Sequence, residues 1–354
     1  MSAQEAALWQ RYQLTTEVLF FCFHWIFINL IIKQVTMSIS NTTTCTNDST
    51  SHFDIIHVCL YSFIFIVGLT LNVIALVFFF CQIKSRSPTV VYMTNLTMAD
   101  FLLILTLPVR IYYHLGLEGI PLVLCDCLGL ILKANMYGSI LFLACICFDR
   151  CVAVSFPMST RIQRARQKSW LICLGVWILS FGPSVPIYIL KRGNVSLNVT
   201  KHCFDNPPVY ATQPAVVFST LFLGFGLPLA IMLVCSWILV HTVQKSTVAQ
   251  TNLLNSRKIR RMIAASLLIF LFSFSPYHAT LVVLSLHREP ITSRTCSGMH
   301  PMLAAYRYSL VVACLNTVLN PIAYYFTTDT FRKNMVIGTV QKMFPLYNLS
   351  SGQR

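Results

Sequence analysis

Charged side chains are scarce in this sequence. Only 10% of its 354 residues are charged and 56% are hydrophobic, whereas soluble domains average about 25% charged residues. Acidic residues are the rarest, with 11 against 26 lysines and arginines, which gives a net charge of +15. This balance excludes an ordinary water-soluble domain and predicts a chain that lies mostly in lipid.

The apolar stretches also lack the strict alternation of membrane-spanning strands, which excludes a closed barrel. They are instead long enough to cross a bilayer as helices, which needs about 20 residues. Spans one to seven are predicted at 56–81, 90–115, 121–151, 170–190, 211–243, 259–286 and 302–326. The sequence therefore predicts an all-α integral membrane protein, with a seven-helix bundle over 56–326 between an amino-terminal segment (1–55) and a short tail (327–354).

The basic residues cluster in connections on one side of this bundle. They lie at 84–86, 161–168, 245–261 and 332–342, and cytoplasmic connections are rich in Lys and Arg. The other side carries the glycosylation acceptors Asn41, Asn47, Asn194 and Asn198. Both signals predict a multi-pass protein of the plasma membrane with an extracellular amino terminus, and this placement of charge favours topology over nucleic-acid binding.

The first 36 residues allow more than one interpretation. Residues 18–32 are apolar enough for a signal-peptide core or a short eighth span. Alternatively, translation begins at Met37 and this segment is not used. The residues leave these alternatives open.

Clustered catalytic residues are also lacking. The nine histidines are scattered, and the acids inside the spans, Asp100 and Asp149, lie far apart in the sequence. A transporter would show repeated halves with matching helix breaks, whereas the prolines here differ from span to span. We therefore expect neither an enzyme nor a transporter, and no bound metal or required cofactor.

Polar residues recur in the middle or inner half of several spans. Since such residues are costly in lipid, each is a candidate functional residue. Together they predict a pocket for water or a sodium ion centred on Asp100, formed by Asn72, Asp100, Ser139, Asn316 and Asn320.

Short motifs occur in order, one in each span. They are Gly68-Leu69-Thr70-Leu71-Asn72, Met98-Ala99-Asp100, Asp149-Arg150-Cys151, Trp177, Pro228, Phe274-Ser275-Pro276-Tyr277 and Asn320-Pro321-Ile322-Ala323-Tyr324. In this arrangement the chain after Met37 resembles a rhodopsin-like G-protein-coupled receptor. It departs from that pattern at Cys151 and Phe274, where the family usually has Tyr and Trp.

The resemblance implies a two-state switch that activates a heterotrimeric G protein, with arrestin as a further partner. In it, Asp149 restrains Arg150 until activation, while Pro276 and Pro321 let spans six and seven move. Phe274, Asn320 and Tyr324 complete the expected switch.

The resemblance also implies disulfides and a further helix. Cys125 and Cys203 would fix the loop after span four over the bundle, and Cys45 and Cys296 would bridge in the same way. Phe331-Arg332-Lys333 resembles the start of an amphipathic eighth helix with a basic face towards membrane lipids.

Motifs in spans two, three and six, such as Leu107-Pro108-Val109-Arg110 and Asn135-Met136-Tyr137-Gly138, are similar to those of purinergic and lysophosphatidic-acid receptors. An anionic ligand needs converging cations, for which the candidates are Arg110, Lys133 and Arg307. The further candidate contacts are Tyr113, Tyr137, Tyr277 and His278. The predicted ligand is a lysophospholipid or related acidic lipid; the alternative is a nucleotide or small carboxylate, against which Leu281 argues because nucleotide receptors typically have a basic residue there.

Overall fold

The structure, a computed structural model, covers most of the predicted bundle. It describes residues 48–82, 87–117, 119–156, 159–160, 166, 168–182, 203–204, 213–245, 253–286 and 301–327. Cys45, Cys296, the four acceptor asparagines, the first 36 residues and the segment expected to form an eighth helix lie outside these residues.

Each of the seven predicted spans contains a helix. Span one is Asp48–Val77, continued by a π-helix over Phe78–Gln82; span two is Pro88–His114; span three is Leu122–Ser155; and span four is Ser169–Phe181. Span five is Pro214–Ser219, a π-helix over Thr220–Gly226, and Leu227–Lys245; span six is Leu253–Leu286; and span seven is Pro301–Cys314 followed by Asn316–Thr327. Within the described residues, six of the seven spans are long and apolar enough to cross a membrane. The helix of span four, Ser169–Phe181, is apolar but shorter.

Prolines mark both the starts and the weak points of the helices. Pro88 and Pro214 open their helices, where a missing N–H costs nothing and the fixed φ favours the first turn. Pro276 and Pro321 lie inside helices, where each removes one backbone hydrogen bond and weakens the helix. Span seven is also interrupted at Leu315, immediately before Asn316.

Span three lies centrally among the helices, in contact with spans two, four, five and six, while span one packs against spans two and seven. Ile64, Leu96, Ile104, Phe142 and Phe270 are completely buried between the helices. Large apolar side chains such as Phe148, Trp170 and Trp237 face outwards. In a membrane these outward-facing residues contact lipid, while both large and small side chains fill the space between the helices.

Candidate ligand site and signalling switch

A disulfide joins Cys125, in the first turn of span three, to Cys203, with 5.7 Å between their Cα atoms. This is the pair that the resemblance implied, and the neighbouring Cys127 is a free thiol. We call this end of the bundle the disulfide end, and the opposite end, where span three carries Asp149, the Asp149 end. The disulfide fixes the position of Phe204, the next residue of the chain.

Arg110 lies at the disulfide end and is only 1% exposed. Its guanidinium carbon is 4.4 Å from the centre of the Phe204 ring, and its Nη2 donates to the carbonyl oxygen of Leu128 at 3.5 Å. Tyr113 packs edge-on against Phe204, with 5.1 Å between ring centres. Within the described part of the chain Arg110 contacts no carboxylate, and its described partners are a backbone carbonyl and aromatic rings.

Arg307 reaches the same end from span seven and is 5% exposed. Its Nη2 donates to Nδ1 of His114 at 3.1 Å. His114 in turn stacks on His57 of span one, with 4.9 Å between ring centres, and Tyr61 lies close enough to both Arg110 and Arg307 for an electrostatic interaction. The structure therefore brings the two predicted arginines together around the rings of span one.

The other candidate ligand contacts lie deeper, between spans three, five and six. His278 donates from Nδ1 to the carbonyl oxygen of Phe274 at 2.8 Å, and its ring lies 4.6 Å from that of Phe225 and 6.0 Å from that of Tyr137. Tyr277 packs edge-on against His278. These side chains form a largely aromatic floor below the arginines.

Two further features belong to this aromatic floor. Lys133 is half-buried, one helical turn before Tyr137 on span three. Gly224, in the π-helix of span five, approaches Tyr137 so closely that a Cβ atom there would lie 2.8 Å from a ring carbon. A side chain at position 224 would therefore displace Tyr137.

The polar contacts in the middle of the bundle centre on Asp100, which is fully buried. Asn135 donates to its Oδ1 at 3.0 Å and Asn320 to its Oδ2 at 2.8 Å. Asn72 donates to the carbonyl oxygen of Thr317 at 2.7 Å, which ties span one to span seven. Three of the predicted polar residues thus link spans one, two and seven.

Ser139 and Asn316, the other predicted members of this network, are also fully buried. Ser139 lies near the Asp100 carboxylate. The Asn316 amide has no hydrogen-bond partner within the described residues. A buried polar group of this kind is expected to be satisfied by water or an ion.

The Asp149 end is organised differently. Asp149 accepts two hydrogen bonds from Arg166, at 2.7 Å from Nε and 3.1 Å from Nη2, and a third from the Thr89 hydroxyl at 2.6 Å. Arg150 donates to the same Thr89 hydroxyl. The hydrogen bond to Asp149 raises the pKa of Arg166, which lies in the connection after span three.

Asp149 and Arg150 are linked through the Thr89 hydroxyl, and their charges also interact. Arg166 takes both oxygens of the carboxylate, and Thr89 connects Asp149 to Arg150. Bidentate geometry explains this preference, because a guanidinium fork matches a carboxylate and Arg166 reaches it from outside the helix.

The remaining switch candidates lie on spans six and seven. Phe274 is fully buried and packs edge-on against Phe270. Tyr324 is buried against Phe79 of span one, with 5.7 Å between ring centres. Both side chains lie next to prolines, Pro276 and Pro321, so movement at either helix break would change their packing.

Several residues of these sites were not predicted from the sequence: His57, Tyr61, Thr89, Asn135, His114, Arg166 and Phe204. A local signal existed for two of them. His114 follows Arg110 by one helical turn, a spacing that places two side chains on the same face, and Phe204 follows a bridged cysteine. The others meet their partners from different spans or from a connection.

The comparisons with known proteins agree with this architecture. The family model described as "7 transmembrane receptor (rhodopsin family)" matches residues 71–324. The chain belongs to this family, and it is a G-protein-coupled receptor rather than an enzyme.

Three relatives indicate which group of rhodopsin-like receptors this chain resembles. Lysophosphatidic acid receptor 6 of Mus musculus is 32% identical over 302 residues, covering 84% of this chain and 87% of the relative. Lysophosphatidic acid receptor 4 of Homo sapiens is 31% identical over 310 residues, covering 86% and 82%. Cysteinyl leukotriene receptor 1 of Homo sapiens is 32% identical over 283 residues, covering 78% and 82%. The predicted similarity to the lysophosphatidic-acid receptor group is thereby confirmed.

Proposed function

We propose that this receptor binds an anionic lysophospholipid, with its head group at Arg110 and Arg307 and with Lys133 as a further cation. The observation that supports this most is the burial of the Arg110 guanidinium among neutral groups of the described residues. A buried charge without an opposite charge is costly, and an anionic ligand would relieve that cost.

A lipid fits the rest of the site better than a nucleotide does. Phe225, Tyr137 and Tyr277 offer apolar surface below the arginines. His278 leaves only its Nε2 for a polar contact, because its Nδ1 is bonded to the backbone. Leu281, where a nucleotide receptor would be expected to have a base, is buried and apolar. Relatives named for lysophosphatidic acid support the same ligand class.

A second candidate ligand is a lipid carboxylate. The relative named as a cysteinyl leukotriene receptor is as similar to this chain as the others, and guanidinium groups bind carboxylate and phosphate alike. The two ligand classes differ in head-group charge and are separated by the experiment below.

We place the signalling surface at the Asp149 end, facing the cytoplasm of a plasma-membrane receptor with an extracellular amino terminus. Arg150 would contact the G protein on activation, arrestin would use the same surface, and residues after 327 would form the eighth helix. The Asp100 network is the proposed site for a sodium ion, because its carboxylate and amide oxygens suit that cation.

The test is to express the full chain in cells that lack lysophosphatidic acid receptors and to record G-protein dissociation. Oleoyl-lysophosphatidic acid, leukotriene D4 and uridine diphosphate are applied to the wild type, Arg110→Ala, Arg150→Ala and Lys168→Ala, with surface expression measured in parallel. Lys168 is an exposed cation at the Asp149 end and serves as the matched control.

We expect a response to the lysophospholipid that weakens in Arg110→Ala, disappears in Arg150→Ala and persists in Lys168→Ala. A response to the leukotriene alone would move the assignment to a lipid carboxylate. Silence towards all three ligands at normal surface expression would contradict the proposed ligand class, while equal losses in Arg110→Ala and Lys168→Ala would contradict the proposed site.

A further inference from the structure

In the hydrogen bond between Arg307 and His114, the donor and the acceptor can be assigned. A guanidinium can only donate hydrogen bonds, so His114 must accept through a lone pair on Nδ1. The distance of 3.1 Å between Nη2 and Nδ1 is that of a normal hydrogen bond. This hydrogen bond requires a neutral imidazole with its proton on Nε2, because an imidazolium has no acceptor.

Groups from spans one, two and seven contact the His114 ring within the described residues. Span one contributes His57 and Tyr61, stacked at 4.9 and 5.6 Å between ring centres, and span two contributes Tyr113, edge-on at 5.4 Å. Among the described residues, the titratable or charged groups facing this cluster include His57, Tyr61, Arg110, Tyr113, Arg307 and Tyr308. Stacking against the His57 and Tyr61 rings restricts the plane of the His114 ring and hence the direction of the Nδ1 lone pair.

We propose that His114 is a positioning residue for the anion site: it orients Arg307 through a neutral imidazole, and protonation of His114 weakens ligand binding by releasing that arginine. This inference rests on the proposed function, since it takes Arg307 to be a head-group contact. His114 holds the guanidinium by a hydrogen bond without cancelling its charge, which a carboxylate in the same position would do.

The proposal gives the receptor a pH dependence of known sign. Imidazole is the side chain that ordinarily changes charge between pH 5 and 8. On protonation, Nδ1 becomes a donor, and a positive charge appears next to the Arg307 guanidinium. Arg307 then loses its hydrogen bond to Nδ1 and turns away from His114, and ligand affinity falls as the pH falls.

Two substitutions distinguish the role of His114 as a hydrogen-bond acceptor from its role as a stacked ring. His114→Asn places an amide oxygen near the position of Nδ1, so it keeps the acceptor but cannot be protonated. His114→Phe keeps the stacked ring and removes the acceptor. His241→Asn is the matched control, because His241 is exposed on span five, where its ring contacts Trp237.

The measurement is the affinity of the purified full-length receptor for oleoyl-lysophosphatidic acid at pH 7.4 and 6.0. At pH 7.4 we expect His114→Asn to bind within a few-fold of the wild type, and His114→Phe to bind about tenfold to a hundredfold more weakly, the range for a hydrogen bond to a charged group. Acidification to pH 6.0 should weaken the wild type and His241→Asn more than His114→Asn. Titration of the lipid phosphate is common to all of these proteins and cancels in the comparison.

Wild-type affinity in His114→Phe would overturn the proposal, as would identical pH profiles for the wild type and His114→Asn. The melting temperature of the ligand-free receptor provides a readout that does not need the ligand. Between pH 7.4 and 6.0 it should fall further in the wild type than in His114→Asn; equal falls would overturn the role of His114. If no lysophospholipid binds to the wild type, the proposed function fails, and this thermal comparison still decides whether His114 holds Arg307.

Discussion

Two arginines lie at each end of this receptor, and the groups that bind them differ between the two ends. At the disulfide end, buried Arg110 contacts a backbone carbonyl and the face of Phe204, and Arg307 donates to neutral His114. At the Asp149 end, one carboxylate accepts from Arg166 directly and is connected to Arg150 through Thr89. Among the described residues the partners of Arg110 are neutral, whereas the carboxylate of Asp149 fixes the arrangement of side chains around it.

The largest expected effect comes from removing the charge of Arg110. Arg110→Met should reduce lysophospholipid potency about 30-fold or more, since losing one partner of a buried charge pair costs about 2–5 kcal/mol. The same substitution should raise the melting temperature of the ligand-free receptor, because replacing a buried charge by an apolar side chain of similar length is often stabilising. Concentration–response curves and thermal unfolding of the purified protein measure the two effects, and a lower melting temperature would show that Arg110 is already compensated without ligand.

At the other end, Asp149→Asn should have the opposite effect on stability. The amide loses the charge that Arg166 and Thr89 contact, so we expect a loss of about 1–3 kcal/mol in the free energy of unfolding, the cost of leaving buried donors poorly satisfied. Basal G-protein activation should rise because Arg150 is no longer linked to a carboxylate. Stability and basal activity that both match the wild type would remove the contrast between the two ends.

Arg166→Ala should have a smaller effect. The Arg166 side chain is 24% exposed, and partly exposed ion pairs contribute about 1 kcal/mol or less. In the wild type, raising the salt concentration should weaken the pair and reduce the stability difference between the two proteins, which thermal unfolding at 0.1 and 1 M NaCl measures. A difference that is independent of salt would mean that Arg166 acts by packing rather than by charge.

The smallest effect is expected for Phe204→Leu at the disulfide end. Loss of the ring removes a cation–π contact worth about 0.5–1 kcal/mol, so the ligand-free receptor should melt slightly lower while lysophospholipid potency rises by a few-fold at most. Phe218→Leu, at a position 70% exposed, is the control for the loss of an aromatic ring. A large loss of potency in Phe204→Leu would make Phe204 a ligand contact instead.

Much of this architecture could be predicted from the sequence. The lengths of the apolar runs predicted the spans, and the cations inside them predicted Arg110, Lys133 and Arg307 as contacts for an anion. The pairing of Asp149 could not be predicted, because Arg150, Arg161, Arg164 and Arg166 are equivalent as charges and only the three-dimensional path of the connection selects Arg166. His57 and His114 lie 57 residues apart, and only helix packing reveals that their rings stack.

The position of Phe204, one residue after a bridged cysteine, also affects how ligand titrations behave. The Phe204 ring is covalently held near Arg110, so it occupies one face of the guanidinium as an intramolecular competitor at high effective concentration. An incoming anion that uses the same face of the guanidinium therefore competes with a group that no dilution can remove. Apparent affinities would then be lower than the intrinsic affinity of the arginines by a constant factor, independent of receptor concentration, and cleavage of the tether would remove that factor.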